Sequence, residues 1–141
     1  MYLVEKWLND TERELQDLLT GSRPAWEKLE RLKGQFLETI KGPVSAVIYE
    51  FNLQAKDELK LKRLHAIIKK SKRKTIFTDY ILLAIRQGEF RPLDAEAAAD
   101  VLISVFEGIS LQWFIQHQDK NKLERTANMA LDIFFHGVLT K

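Results

Sequence analysis

Apolar residues recur at three- and four-residue spacing along most of this chain, a helical period. Leu3, Val4, Trp7, Leu8, Leu15, Leu18 and Leu19 form one stripe, with Glu5, Asp10, Glu12, Arg13 and Asp17 largely opposite. That predicts an amphipathic helix ending near Gly21. Ser22-Arg23-Pro24 reads as a cap and a first-turn proline, and Trp26, Leu29, Leu32, Phe36, Leu37 and Ile40 trace a second stripe closed by Gly42-Pro43. A shorter third helix carries Val44, Val47, Ile48 and Phe51. The next pattern, from about Glu58 to Gln87, contains no proline or glycine and would be about 45 Å long if unbroken. Leu61, Leu64, Ile68, Thr75 and Leu82 lie near one seam of it, Ile76, Tyr80 and Leu83 near another.

Gly88 then supplies a helix stop, Pro92 excludes helix through Arg91, and Asp94 is the expected N-cap of a helix starting at Ala95. This helix is apolar almost all round. Ala98, Val101, Leu102, Val105, Ile109 and Gln112 fall on one side, Ala99, Phe106 and Trp113 extend it, and Ala97, Leu111 and Ile115 widen it again. Its charged strip is Glu96, Asp100 and Glu107. Such a helix must be buried on nearly every side, either within its own core or between its core and a second subunit. After a polar connection at Gln118 to Asn121, a last helix carries Leu123, Ala127, Ala130, Leu131, Phe134 and Val138 on one face. Met129, Ile133 and Gly137 occupy an adjacent one. It too has more apolar surface than one flank requires. The chain is therefore expected to be an all-α bundle of about six helices. Its last two would form a four-helix-bundle interface with a twin subunit.

The run Gly88 to Asp94, GEFRPLD, followed by AEAAADVLISVFEGISLQWFI, resembles the junction and penultimate helix of the C-terminal domain of the tetracycline-repressor (TetR) family. Members show a Gly-x-Phe-Arg turn, an alanine-rich helix start and a helix end of small and aromatic residues. The order of elements resembles that domain over the whole chain, 1–141. The resemblance implies a homodimer that senses a small molecule inside its helical bundle and so controls a transcription regulator's hold on DNA. The first helix corresponds to the one that joins sensor to DNA-binding head. The head's helix-turn-helix has no counterpart after Met1, so DNA is expected to be reached only through that separate N-terminal domain. Candidate dimer contacts are Val105, Gly108, Ile109, Leu131, Phe134 and Val138.

Composition narrows the picture further. With 141 residues, 45% hydrophobic and 30% charged, one globular domain is expected. No cysteine means no disulfide framework, which suits a reducing cytoplasm. No targeting segment is visible and no run is expected to span a membrane, so the protein is read as soluble and cytoplasmic, with no membrane partner. Between Lys56 and Lys74, nine Lys or Arg stand against Asp57 and Glu58. The first reading of that run is a solvated helix face, the second an attraction for an anionic effector or general steering toward DNA. Base reading is disfavoured, because no aromatic or amide residues interleave there.

Candidate chemistry is sparse. His65, His117 and His136 are too scattered for a helical metal motif, and no phosphate-binding glycine loop or nucleophile elbow occurs. Asp79, Tyr80 and His65 form no recognisable catalytic constellation. No metal, cofactor or enzymatic activity is therefore expected. The dispersed aromatics are more suggestive: Trp26, Phe36, Tyr49, Phe77, Tyr80, Phe106 and Trp113, with Gln112 as a polar handle, are the candidate lining of an effector pocket. An acyl or aromatic molecule, apolar or amphipathic, would suit it. The alternative that shares every one of these patterns is a stand-alone dimeric carrier of small molecules.

Overall fold

The computed structural model describes residues 2–42, 62, 66, 72–115 and 119–139, the side chains of residues 2–5 and 8 excepted. Five α-helices occur among them: α1 Tyr2–Thr20, α2 Ala25–Ile40, α3 Arg73–Arg86, α4 Ala95–Ile115 and α5 Lys120–Val138. One isolated bridge, Phe90 with Leu139, is the only extended pairing among the described residues. The architecture is all-α. The expected third helix at Val44 to Phe51, and Leu61, Leu64, Ile68 and most of the basic run, lie outside the described residues.

Most helix ends fall where local chemistry puts them. Asp94 Oδ1 accepts the Ala97 N–H at 3.1 Å and Asp119 Oδ1 accepts the Lys122 N–H at 3.2 Å, so α4 and α5 both start on a carboxylate cap. Gly88 has φ of 78°, and the N–H groups of Glu89 and Phe90 both return to the Ala84 carbonyl, at 2.9 and 3.1 Å. That closes α3 on a left-handed residue, the conformation glycine adopts most easily.

Two helix starts depart from expectation. Pro24 precedes the first turn of α2 instead of lying in it, and no neighbouring side chain caps that helix. The Ala25 N–H instead donates to Glu89 Oε1 at 2.9 Å, from 64 residues away. The pattern from Glu58 to Gln87 is not one continuous helix, because Lys72 is non-helical and α3 begins at Arg73. Lys72, Arg73 and Lys74 place positive charge at the positive end of a helix dipole, which is unfavourable. Acidic residues from other helices offset it. The Lys72 N–H donates to Glu12 Oε1 of α1 at 3.0 Å, Arg73 pairs with Glu107 at 2.6 Å and Lys74 with Asp100 at 3.2 Å.

The core gathers around α4, which packs chiefly on α3 and also on α5, while α2 lies against α1 and α5. One cluster holds Leu19, Leu29, Phe77, Ile81, Leu102 and Phe134 among others; a second holds Ile40, Ile109, Trp113, Leu123 and Ala127. Phe36 packs against both, its ring 4.6 Å from that of Phe106. On α3 the buried positions are Ile76, Phe77, Tyr80, Ile81 and Ala84, and the expected seam residues Thr75 and Leu82 are exposed.

The expectation that no run approaches the length of a membrane span fails for α4, by length and composition only. Ala95–Ile115 is 21 residues long and contains an 18-residue stretch of mean hydropathy 1.4, because only Glu96, Asp100 and Glu107 interrupt the helix. One face nevertheless packs in the core, as a central bundle helix does, so length and hydropathy alone carry little weight here.

Candidate functional site

The aromatic residues proposed for a pocket divide into several environments. Phe77, Tyr80 and Phe106 are buried in the larger cluster, Trp113 in the smaller, and Phe36 is half-buried between the two. Trp26 is 53% exposed and so turns away from this interior, while Tyr49 lies outside the described residues. Gln112 and Trp113 do come together, lining a cleft with Ile109, Asp119, Lys122 and Leu123 at the junction of α4 and α5. At about 20 Å³ this cleft has room for little more than a water molecule. A second, open groove runs between α1 and α2, bordered by Glu14, Asp17, Arg31 and Glu38.

Tyr80 is committed to the fold. Its hydroxyl donates to the Ala25 carbonyl at 2.7 Å, and burial, with a smaller contribution from the Glu89 carboxylate, holds its pKa far above the ordinary tyrosine value. Asp79 next to it is exposed, so the two do not converge. His65 is outside the described residues. No group of three metal-liganding side chains is found among the described residues. Sequence reasoning overlooked Lys28, which is only 2% exposed although it stands in the first turns of α2. Among the described residues no carboxylate pairs with it. At the end of the basic run, by contrast, the Lys72 N–H, Arg73 and Lys74 are engaged with α1 and α4.

The outer face of the last two helices is the larger feature. On α4, Val101, Ser104, Gly108, Leu111 and Ile115 recur at helical spacing opposite the buried residues Ala99, Leu102, Phe106, Ile109 and Trp113. Val101 is 53% exposed, Leu111 48% and Ile115 58%; on α5, Met129 is 59% exposed and Ile133 65%. Gly108 and Gly137 share these outer faces, and a Cβ at either would meet nothing within 4 Å. The sequence-derived interface residues sit differently. Ile109, Leu131, Phe134 and Val138 are buried in the chain's own core, Val105 is half-buried, and only Gly108 faces fully outward. The apolar excess of both helices was evident from sequence, but its division into inner and outer sets was not.

Residues 28–124 match the family model described as "Tetracyclin repressor-like, C-terminal domain". The chain belongs to that family. No curated protein matches it. Among solved structures, it is similar to a crystal structure described as that of a TetR-family transcriptional regulator from Rhodococcus sp. The two share 21% identity over 93% of this chain and 71% of the other, with a TM-score of 0.63. At that identity the likeness is one of fold.

In this TetR-like domain the Gly-x-Phe-Arg turn has a definite structural role. Gly88 reverses the chain, Glu89 caps α2 and Phe90 is 1% exposed. Arg91 reaches the end of α5, its N–H donating to the Val138 carbonyl at 2.7 Å and its Nε to the Gly137 carbonyl at 2.8 Å. Glu89 is thus a structural residue that sequence reasoning passed over, the one variable position of its motif.

Proposed function

We propose that this TetR-like domain is the effector-sensing and dimerising part of a transcriptional regulator, acting on a DNA-binding head outside these 141 residues. It would bind a small apolar or amphipathic molecule and catalyse no reaction. The observation that carries the reading is the outer apolar face of α4 and α5. Five large apolar side chains lie there about half or more exposed. Fully burying each is worth roughly 1.5–3 kcal/mol. Glycine in a helix interior costs about 1 kcal/mol relative to alanine, and nothing in the fold occupies the space beside Gly108 or Gly137. Close approach of another helix would use that space. A second copy of the chain, presenting the same two helices across a two-fold axis, supplies it.

The effector reading rests on family membership and on the aromatic interior. Phe36, Phe106, Gln112 and Trp113 are the better-placed half of the candidate lining, since Phe36 bridges the two clusters, Phe106 packs against Phe36, and Gln112 and Trp113 line the cleft at the α4–α5 junction. Native mass spectrometry tests both parts. The expected species has twice the 16.4 kDa chain mass, and it gains a small-molecule mass when an acyl or aromatic ligand is retained or added. A monomer persisting at tens of micromolar would overturn the dimer. Failure of a chemically broad ligand panel to add mass or raise the melting temperature would overturn the sensor.

A further inference from the structure

We propose that the turn Gly88–Arg91 is a two-ended joint that couples the C-terminus of α5 to the N-terminus of α2. Two residues apart on one short backbone, Glu89 and Arg91 grip opposite ends of two different helices. The Glu89 carboxylate accepts from the first N–H of α2, at the positive end of its dipole. The Arg91 guanidinium and N–H donate to the last carbonyls of α5, at the negative end. Each charge complements the helix end it holds.

Phe90 makes the connection stiff. It is 1% exposed and meets two rings edge-on, Tyr80 at 5.8 Å and Phe135 at 6.1 Å. Tyr80 belongs to the α2 side, because its hydroxyl holds the Ala25 carbonyl while Glu89 holds the Ala25 N–H. Phe135 belongs to α5. A shift at the end of α5 must therefore be absorbed by Arg91 and Phe90 together, and neither can move without disturbing the group that fixes Ala25. Close-packed interiors transmit displacement in this way instead of damping it. The joint links the helix that carries Met129 and Ile133 to the corner between α1 and α2. The coupling itself is a property of the fold; its use for signalling rests on the sensor reading above.

Hydrogen exchange on the intact chain, with no effector added, tests it. The Ala25 N–H is held by Glu89 alone, so its exchange rate reports the α2 end. Arg91→Ala leaves every bond to α2 in place, yet exchange at Ala25 is expected to rise at least tenfold. Arg91→Lys, which keeps the charge without the guanidinium, should give a smaller rise. Conversely, Glu89→Ala should quicken exchange at Leu139, whose N–H donates to the Phe135 carbonyl. Core amides such as those of Ile81 and Leu102 should hold within twofold in all three variants. Exchange that rises only at the mutated end means two independent caps and overturns the proposal. A rise shared equally with the core means general destabilisation and overturns it as well. Should Arg91→Ala fail to fold, the same comparison is read from Arg91→Lys. The native mass spectrum judges the sensor reading separately, since neither effector nor dimer enters this measurement.

Discussion

The two faces of α4 are close in composition and opposite in fate. Its inner face, Ala99, Leu102, Phe106 and Ile109, is buried against α3, α5 and the rings around Phe36. Its outer face, Val101, Gly108, Leu111 and Ile115, is comparably apolar and stands in the open. Hydrophobicity alone therefore does not say which side of such a helix builds the domain. Between the faces runs the acidic strip Asp100 and Glu107, which pairs with Lys74 and Arg73 at the surface and so agrees with the rotation of α4 that core packing sets.

The largest contrast should come from truncating each face in turn. Leu102 is fully buried, so Leu102→Ala is expected to cost about 2–5 kcal/mol in urea unfolding, through lost burial and the cavity left behind. A loss under 1 kcal/mol would erase the distinction between the faces. A charge on the outer side should act on assembly instead. Leu111→Glu combined with Ile133→Glu should halve the native mass while leaving the helical circular-dichroism signal in place. Loss of that signal would put these side chains in the fold, and retention of the dimer would put the interface elsewhere. Phe134→Glu should behave as an inner-face change and abolish folding, because Phe134 lies in the chain's own core.

Tyr80 sharpens the comparison on the inner side at a smaller scale. Tyr80→Phe removes its bond to the Ala25 carbonyl and should cost about 1 kcal/mol at neutral pH. Its pKa is raised in the folded state, so the folded chain keeps the proton that the unfolded chain releases above about pH 10. Stability should thus be intact below that value and decline as pH rises through it, and Tyr80→Phe should flatten the decline. An unchanged alkaline limb would show that the hydroxyl is not confined as described. The smallest effect has two signs. Gly108→Ala should stabilise an isolated subunit by up to about 1 kcal/mol, since its Cβ meets open space, and should weaken the dimer. If the dimer tightens, Gly108 is not at a close helix crossing.

Where a boundary depends on neighbouring residues, it was legible in the sequence. The end of α1 near Gly21, the stop at Gly88, the cap at Asp94 and the start at Ala95 all follow from local backbone chemistry. Where it depends on a distant partner, it was not. The break at Lys72 involves Glu12 and the cap of α2 is Glu89, so no window around either site contains its cause. The candidate site suffers from the same limit. Trp26, which the apolar stripe of α2 includes, lies outside and Lys28, which it omits, lies within, because the rotation of α2 is set by several neighbours at once. The apolar excess of α4 and α5 was readable as an amount of surface, whereas its orientation required the whole bundle.

The cap on α2 also has a consequence for how the polypeptide is made. Translation at about 5–20 residues per second delivers Glu89 several seconds after Ala25, the residue it holds from 64 positions away. The first turn of α2 emerges from the ribosome with that end unsecured, and it gains its permanent cap only once the turn after α3 has been synthesised. Within this domain, the corner between α1 and α2 is therefore made before the residue that secures it, and becomes firm only after α3 has been added.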